Sequence, residues 1–191
     1  ISSPITRRDS IKKILKFSGC MALAGSPALP FDLSRSVLAD TGRESFIVDA
    51  RGRTPGFTIK DLTRKAFDAA GGMQRFISRG DVVVIKPNIS WARAPQLAAT
   101  THPEVLASVI ELCQEAGAKK IRIADHTIHG ASRCFAVTGA GSVAKKTGAD
   151  LVFPRSSLMK DMQLNGHRLS VWPVFTPLVE ADKCINLPVA K

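Results

Sequence analysis

The stretch from Val82 to Ile85 is apolar at every position, the pattern of a strand covered on both faces. It stands in an alternation of short strands and amphipathic helices, and that alternation restricts the fold more than any other feature. Before it, Thr58 is placed to cap a helix whose apolar residues Ile59, Leu62, Ala66, Phe67 and Ala70 recur at helical spacing until Gly71-Gly72. After it, Pro103 and Glu104 suit the first turn of a helix with Val105, Leu106, Val109, Ile110 and Cys113 on one face and Gly117 as its stop. The run "KIRIAD" is the next strand, followed by a helix ending near Lys146, then Leu151-Val152-Phe153. A hairpin is expected around Asn165-Gly166 and a final strand in "KCINLP". Phe46-Ile47-Val48 is a further short strand.

Strands alternating with helices imply an α/β protein. The expected fold is a mostly parallel sheet with helices on both faces and an inserted β-hairpin. The last strand runs to Lys191 without a helix to cover it, so the domain is expected to be incomplete at the C-terminus. No internal repeat is visible.

The first 39 residues follow another logic. Six basic and two acidic residues fall there, adjacent Arg7 and Arg8 among them, ahead of a small-residue apolar stretch and a Val37-Leu38-Ala39 end. This is the layout of an export signal. Glycines and prolines interrupt the apolar part, which is too short for a stable transmembrane segment. Thr6-Arg7-Arg8-Asp9-Ser10-Ile11-Lys12 resembles the twin-arginine signal, with Ser10 where that signal usually has an aromatic. The resemblance implies the twin-arginine export machinery as a partner, a periplasmic or other extracytoplasmic destination, and a division into a signal peptide, 1–39, and the N-terminal part of an α/β domain, 40–191.

The formal net charge of +11 is scattered outside that leader. Tyrosine is absent and aromatics make up 6%, so the basic stripe interleaved with stacking residues that marks a nucleic-acid binder is missing. The four cysteines, Cys20, Cys113, Cys134 and Cys184, include no C-x-x-C pair for a local zinc or iron–sulfur loop. There is no G-x-S-x-G and no P-loop. Gly139-x-Gly141-x-x-Ala144 imitates a dinucleotide fingerprint, but no firm strand precedes it and no acidic residue follows at the right distance, so a broken helix with small packing residues is the better reading.

Ligands of open α/β sheets gather beyond the carboxyl ends of the strands. Those ends carry Lys86, Asn88 and His102 after the first buried strand, Asp125 after the second, and Lys191 after the last. These five are the candidate ligand-binding residues, with Lys86 and Asp125 expected as a pair. Together with the start of the helix near Pro103, the cations would suit an anionic small molecule. His126, His129 and Cys134 form a candidate metal set, because imidazole and thiolate suit a transition metal, although solvated loop histidines give the same pattern.

The blocks "GDVVVIKPNIS", "TTHPEVLASVIELCQEAGAKKIRIAD" and "EADKCINLPVAK" resemble the family called domain of unknown function 362 in their order and spacing. The matching motifs are Lys86-Pro87-Asn88, Thr101-His102-Pro103, Asp125, and Leu187-Pro188 with Lys191. The resemblance implies an uncharacterised α/β protein, an enzyme or not, linked in some relatives to iron–sulfur or redox chemistry and so to a redox partner. An iron–sulfur cluster would belong to the complete protein, since the cysteine spacing here does not supply one.

Overall fold

The computed structural model describes residues 31–40, 43–52, 56–164 and 166–190, and within the N-terminal hairpin the side chains from Phe46 onward. Residues 1–30, which hold the Arg7-Arg8 motif, together with Asn165 and Lys191, lie outside the described residues. An antiparallel pair, β1 (Phe31–Asp40) and β2 (Arg43–Gly52), comes first. Val37, Leu38 and Ala39 lie in β1, opposite Phe46, Ser45 and Glu44. Helix α1 (Ile59–Ala69) follows. Its cap is reciprocal: Asp61 N–H donates to Thr58 Oγ1 at 3.1 Å, and Thr58 N–H donates back to Asp61 Oδ2 at 3.2 Å.

The central sheet is parallel throughout its four strands: β3 (Val82–Pro87), β4 (Lys120–Ala124), β5 (Asp150–Val152) and β8 (Lys183–Leu187), in the order β5-β4-β3-β8. Two strands outside it, β6 (Met159–Gln163) and β7 (Val171–Phe175), form the inserted antiparallel hairpin. Helix α2 (Pro103–Glu115) connects β3 to β4, while α3 (Ala131–Val137) and α4 (Ala140–Thr147) connect β4 to β5. Short α5 (Thr176–Val179) leads to β8.

The pleat of β3 explains the covered apolar run. Val83 and Ile85 turn to one face, where they meet Ile121 and Ile123 of β4 and the α2 side chains Leu106, Val109, Ile110 and Cys113. Val143 and Ala144 of α4 complete that core. Val84 turns to the other face, onto Ala124 and Phe175, with Val152, Leu158, Met159 and Leu178 around them. One face is thus roofed by the long helices, the other by α5 and the hairpin. Helix α1 lies outside α2 and is tied to it by Lys60–Glu111 and Arg64–Glu115, both at 2.6 Å. These pairs are exposed and contribute little on their own.

The hairpin occurs where expected, with a connection longer than a two-residue turn. Gln163 pairs with Val171, and Leu164 N–H donates to Ser170 O at 2.8 Å, which leaves a five-residue connection from 165 to 169. A two-residue Asn165-Gly166 turn would have put Leu164 opposite His167. The ladder instead follows the burial of Met159 and Phe175 against the sheet, which fixes the register from the far end.

The segment after β4 is a broken helix. Gly139 at φ +81 separates α3 from α4, and a Cβ there would stand 3.3 Å from Pro103 Cβ. A helix and not a strand precedes Gly139-x-Gly141-x-x-Ala144, so the dinucleotide fingerprint has no structural basis. Gly139→Ala adds a left-handed non-glycine residue and a tight contact with the start of α2. It is expected to lower stability by about 1–2 kcal/mol in urea unfolding with the fold retained.

Candidate functional site

The parallel register brings Lys86 and Asp125 together. Ile85 pairs with Ile123, so both chains leave the sheet at the same level, and Lys86 Nζ stands 3.0 Å from Asp125 Oδ1. The partners are unlike in exposure: the Asp125 side chain is 3% exposed and that of Lys86 40%. A carboxylate this deep needs donors around it. Asp125 Oδ2 accepts from Ile89 N–H at 2.6 Å, and Oδ1 accepts from His126 N–H at 3.0 Å as well as from Lys86. The Lys86 ammonium also donates to Pro87 O at 3.2 Å. Two of its three donors are therefore occupied within the protein, and its exposed side can meet an anion.

Asn88 and His102 belong to a second knot. Thr101 Oγ1 accepts from Asn88 N–H at 2.8 Å and donates to Leu187 O at 2.7 Å, tying the exits of β3 and β8 to the start of α2. The Asn88 amide reaches Ala99 O at 3.4 Å, a backbone contact within the same loop. His102 is the cap of α2, its Nδ1 accepting from Glu104 N–H at 3.2 Å.

The candidate metal residues lie in and just after the loop between β4 and α3. Ser90 O accepts from Ile128 N–H at 3.0 Å and His129 N–H at 3.2 Å, stitching that loop to the β3 exit. His129 Nδ1 accepts from Ala92 N–H at 3.4 Å, and its ring meets Trp91 edge-on at 4.9 Å between centroids. The Cys134 thiol is buried and donates to Ser90 O and His129 O at 3.7 and 3.6 Å. Burial pushes its pKa up, against the thiolate that a metal would require. Among the described residues no three His, Cys, Asp or Glu side chains converge as a metal-holding group.

An iron–sulfur cluster does not fit the described residues. Cys113 is buried in the core with its pKa pushed up to about 12, Cys134 is bonded to carbonyls, and Cys184 is exposed on strand β8.

A cleft of about 490 Å³ opens beyond the carboxyl ends of β4 and β5, lined by His126, Thr127, His129, Arg155, Ser156 and Met159 among others. Lys86, Asn88 and His102 are not in its lining. Arg155 and Ser156 were missed by the sequence reading. The signal was available: Leu151-Val152-Phe153 is a strand of the same parallel set, so Pro154-Arg155 had to leave it at the edge that carries Lys86 and Asp125. Arg155 is exposed and has no ion-pair partner among the described residues.

The two partners of the buried pair should respond unequally to mutation. Asp125→Ala strands two backbone N–H groups and an ammonium, and is expected to cost about 3 kcal/mol. Lys86→Met leaves Asp125 with two amide donors and should cost about 1 kcal/mol. Urea unfolding of both variants checks the order.

The chain is 43% identical over 56 residues to "Thylakoid-associated protein sll1697" of Synechocystis sp. (strain ATCC 27184 / PCC 6803 / Kazusa), a match that covers 29% of this chain and 17% of that protein. No solved structure matches the chain. The family model described as Domain of unknown function (DUF362) matches residues 83–191, more than half of the chain and all of its parallel sheet but the first residue of β3, and the chain belongs to that family.

Proposed function

We propose that this DUF362 chain is part of an exported protein that binds an anionic small molecule in the cleft beyond β4 and β5. The observation that carries the reading is the lining of that cleft: Arg155, His126 and His129 around about 490 Å³ at the carboxyl edge of a parallel sheet. Arg155 offers a planar set of donors suited to a carboxylate or phosphate. The histidine loop is held in place by Ser90 O and by Asp125, so its contacts are largely formed before a ligand arrives. The link to redox chemistry implied by family resemblance would require a group held elsewhere in the protein, since no thiolate set is present among the described residues.

Export is supported by Arg7-Arg8 and the apolar stretch that follows. No helix among the described residues is long and apolar enough to cross a membrane. Cleavage after Ala39 would remove nearly all of β1. Strand β2 would keep its packing on α1 and on the turn Met73–Arg75, whose Arg75 guanidinium lies 4.5 Å from the Phe46 ring centroid.

Calorimetric titration with inorganic phosphate and with succinate tests the ligand. The wild-type chain should take one of them, and Arg155→Ala should weaken that binding at least about tenfold, the loss of one charge-assisted contact, without lowering Tm. Failure of both probes to bind, or equal binding by the variant, overturns the reading. Export is tested separately: Arg7→Lys with Arg8→Lys should trap the precursor in the cytoplasm, and the mature protein should begin near Asp40. Undiminished export of the double variant refutes it.

A further inference from the structure

The hairpin of β6 and β7 is anchored only at its base. Met159 and Phe175, which pair at that end, pack with Val84 and Ala124 of the sheet. No other side chain of the two strands belongs to a core cluster. From Met159 to Gln163 the strand advances about 13 Å, at about 3.3 Å per residue, which carries the connecting loop away from that anchor. Beyond the anchor every described residue from 160 to 174 is exposed or half-buried.

An uncovered face of an antiparallel pair is ordinarily polar. This one is not. Leu164, Leu169, Val171 and Trp172 are all large apolar side chains, between 41% and 51% exposed. Trp172 pairs with Met162, Val174 with Lys160, and Leu164 N–H donates to Ser170 O. The pleat therefore sets Met162, Leu164, Trp172 and Val174 on the face opposite to Met159 and Phe175. This apolar stripe runs between Lys160 near the base and His167-Arg168 in the connection. Asp161, the one acidic residue between 159 and 175, pairs with Pro173 and alternates to the other face. Lys160 and Arg168 have no ion-pair partner among the described residues.

That arrangement suits the boundary of an anionic bilayer. An indole settles at headgroup level, leucines reach the acyl chains, and cations at the two ends of the stripe meet lipid phosphates. A net charge of +11 adds long-range attraction to such a surface. A protein partner is served less well: the stripe is two strands wide, about 5 Å between chains, and its four side chains present well under the roughly 800 Å² per partner of a stable protein interface.

We infer that the outer face of this hairpin docks on an anionic lipid bilayer, with Trp172, Leu164 and Leu169 entering the headgroup boundary and Lys160 and Arg168 meeting phosphates. None of these five residues lines the Arg155 cleft, so the two sites are tested independently.

The full chain is titrated with phosphatidylcholine vesicles containing about 30% phosphatidylglycerol, and with phosphatidylcholine alone, both carrying lipid brominated in the acyl chain, which quenches nearby indoles. Both tryptophans, Trp91 and Trp172, lie outside residues 1–39, so attachment through that segment does not by itself produce quenching. Quenching should appear with the anionic vesicles, need at least about fivefold more lipid when phosphatidylglycerol is omitted, and vanish in Trp172→Phe. Leu164→Ser combined with Leu169→Ser should weaken the apparent affinity at least about tenfold, and Arg168→Glu at least about fivefold. Tm should stay unchanged in these variants, because none of the three side chains is in a core cluster. No quenching, quenching that survives Trp172→Phe, equal affinity for the two vesicles, or full affinity in the folded leucine double variant overturns the proposal. Sedimentation velocity without lipid covers the other occupant: a dimer abolished by the leucine double variant would assign the stripe to a second copy of the chain and overturn it as well.

Discussion

The carboxylate of Asp125 organises the carboxyl edge of the sheet. It is buried, and its two oxygens receive three donors from three places: Ile89 in the β3 exit, His126 in the β4 exit, and the Lys86 ammonium. Desolvating a charge is expensive, and mutual attraction with one partner does not by itself offset it. The two amide donors change that balance, because each is a charge-assisted bond whose backbone is already fixed by a strand end. The pair is therefore less a strut than a lock. It determines how the chain leaves β3 and β4, and so where Ser90 lies to receive the loop that carries His129.

A second lock of a different kind holds the other side. Thr101 uses its hydroxyl as acceptor toward Asn88 and donor toward Leu187, so one neutral side chain joins β3, α2 and β8. A carboxylate could not do this, since it lacks a proton to donate. A neutral hydroxyl also involves no charge burial, which suits a position against the apolar lining of Val105 and Leu187. The β3 exit loop is pinned at both ends, by an ionic lock near β4 and a neutral one near β8.

Much of the sheet was legible because its signals are periodic. Val82 to Ile85 announced a strand covered on both faces, and α2 declared both ends through Pro103 and Gly117. The break at Gly139 was also legible, as a helix interrupted by small residues. Its reason was not: the glycine is needed where α4 approaches Pro103, a contact between segments some 36 residues apart in the sequence. The hairpin was legible around Asn165-Gly166, but the length of its connection was not, for a related reason. Asn165-Gly166 is a strong local signal, but the ladder is set by Met159 and Phe175, which the sheet buries. Local chemistry proposes a turn, and tertiary burial chooses the register.

The candidate site divides along the same line. Lys86 and Asp125 could be paired from sequence because a parallel sheet puts successive strand ends at one level. The five proposed ligand residues could not be sorted further, since which side of a loop a residue serves depends on hydrogen bonds across the sheet. Asn88 follows Lys86 by two positions, yet its backbone N–H joins the Thr101 knot while Lys86 joins Asp125. Pro87 lies between them and pairs with Leu187 of β8, so the chain is still in the sheet at that point and its side chains alternate between faces. A cation and an amide two positions apart would share a face on a continuing strand. The strand ends at Pro87, and Asn88 turns toward α2. That change of direction assigns the Lys-Pro-Asn motif to both locks at once.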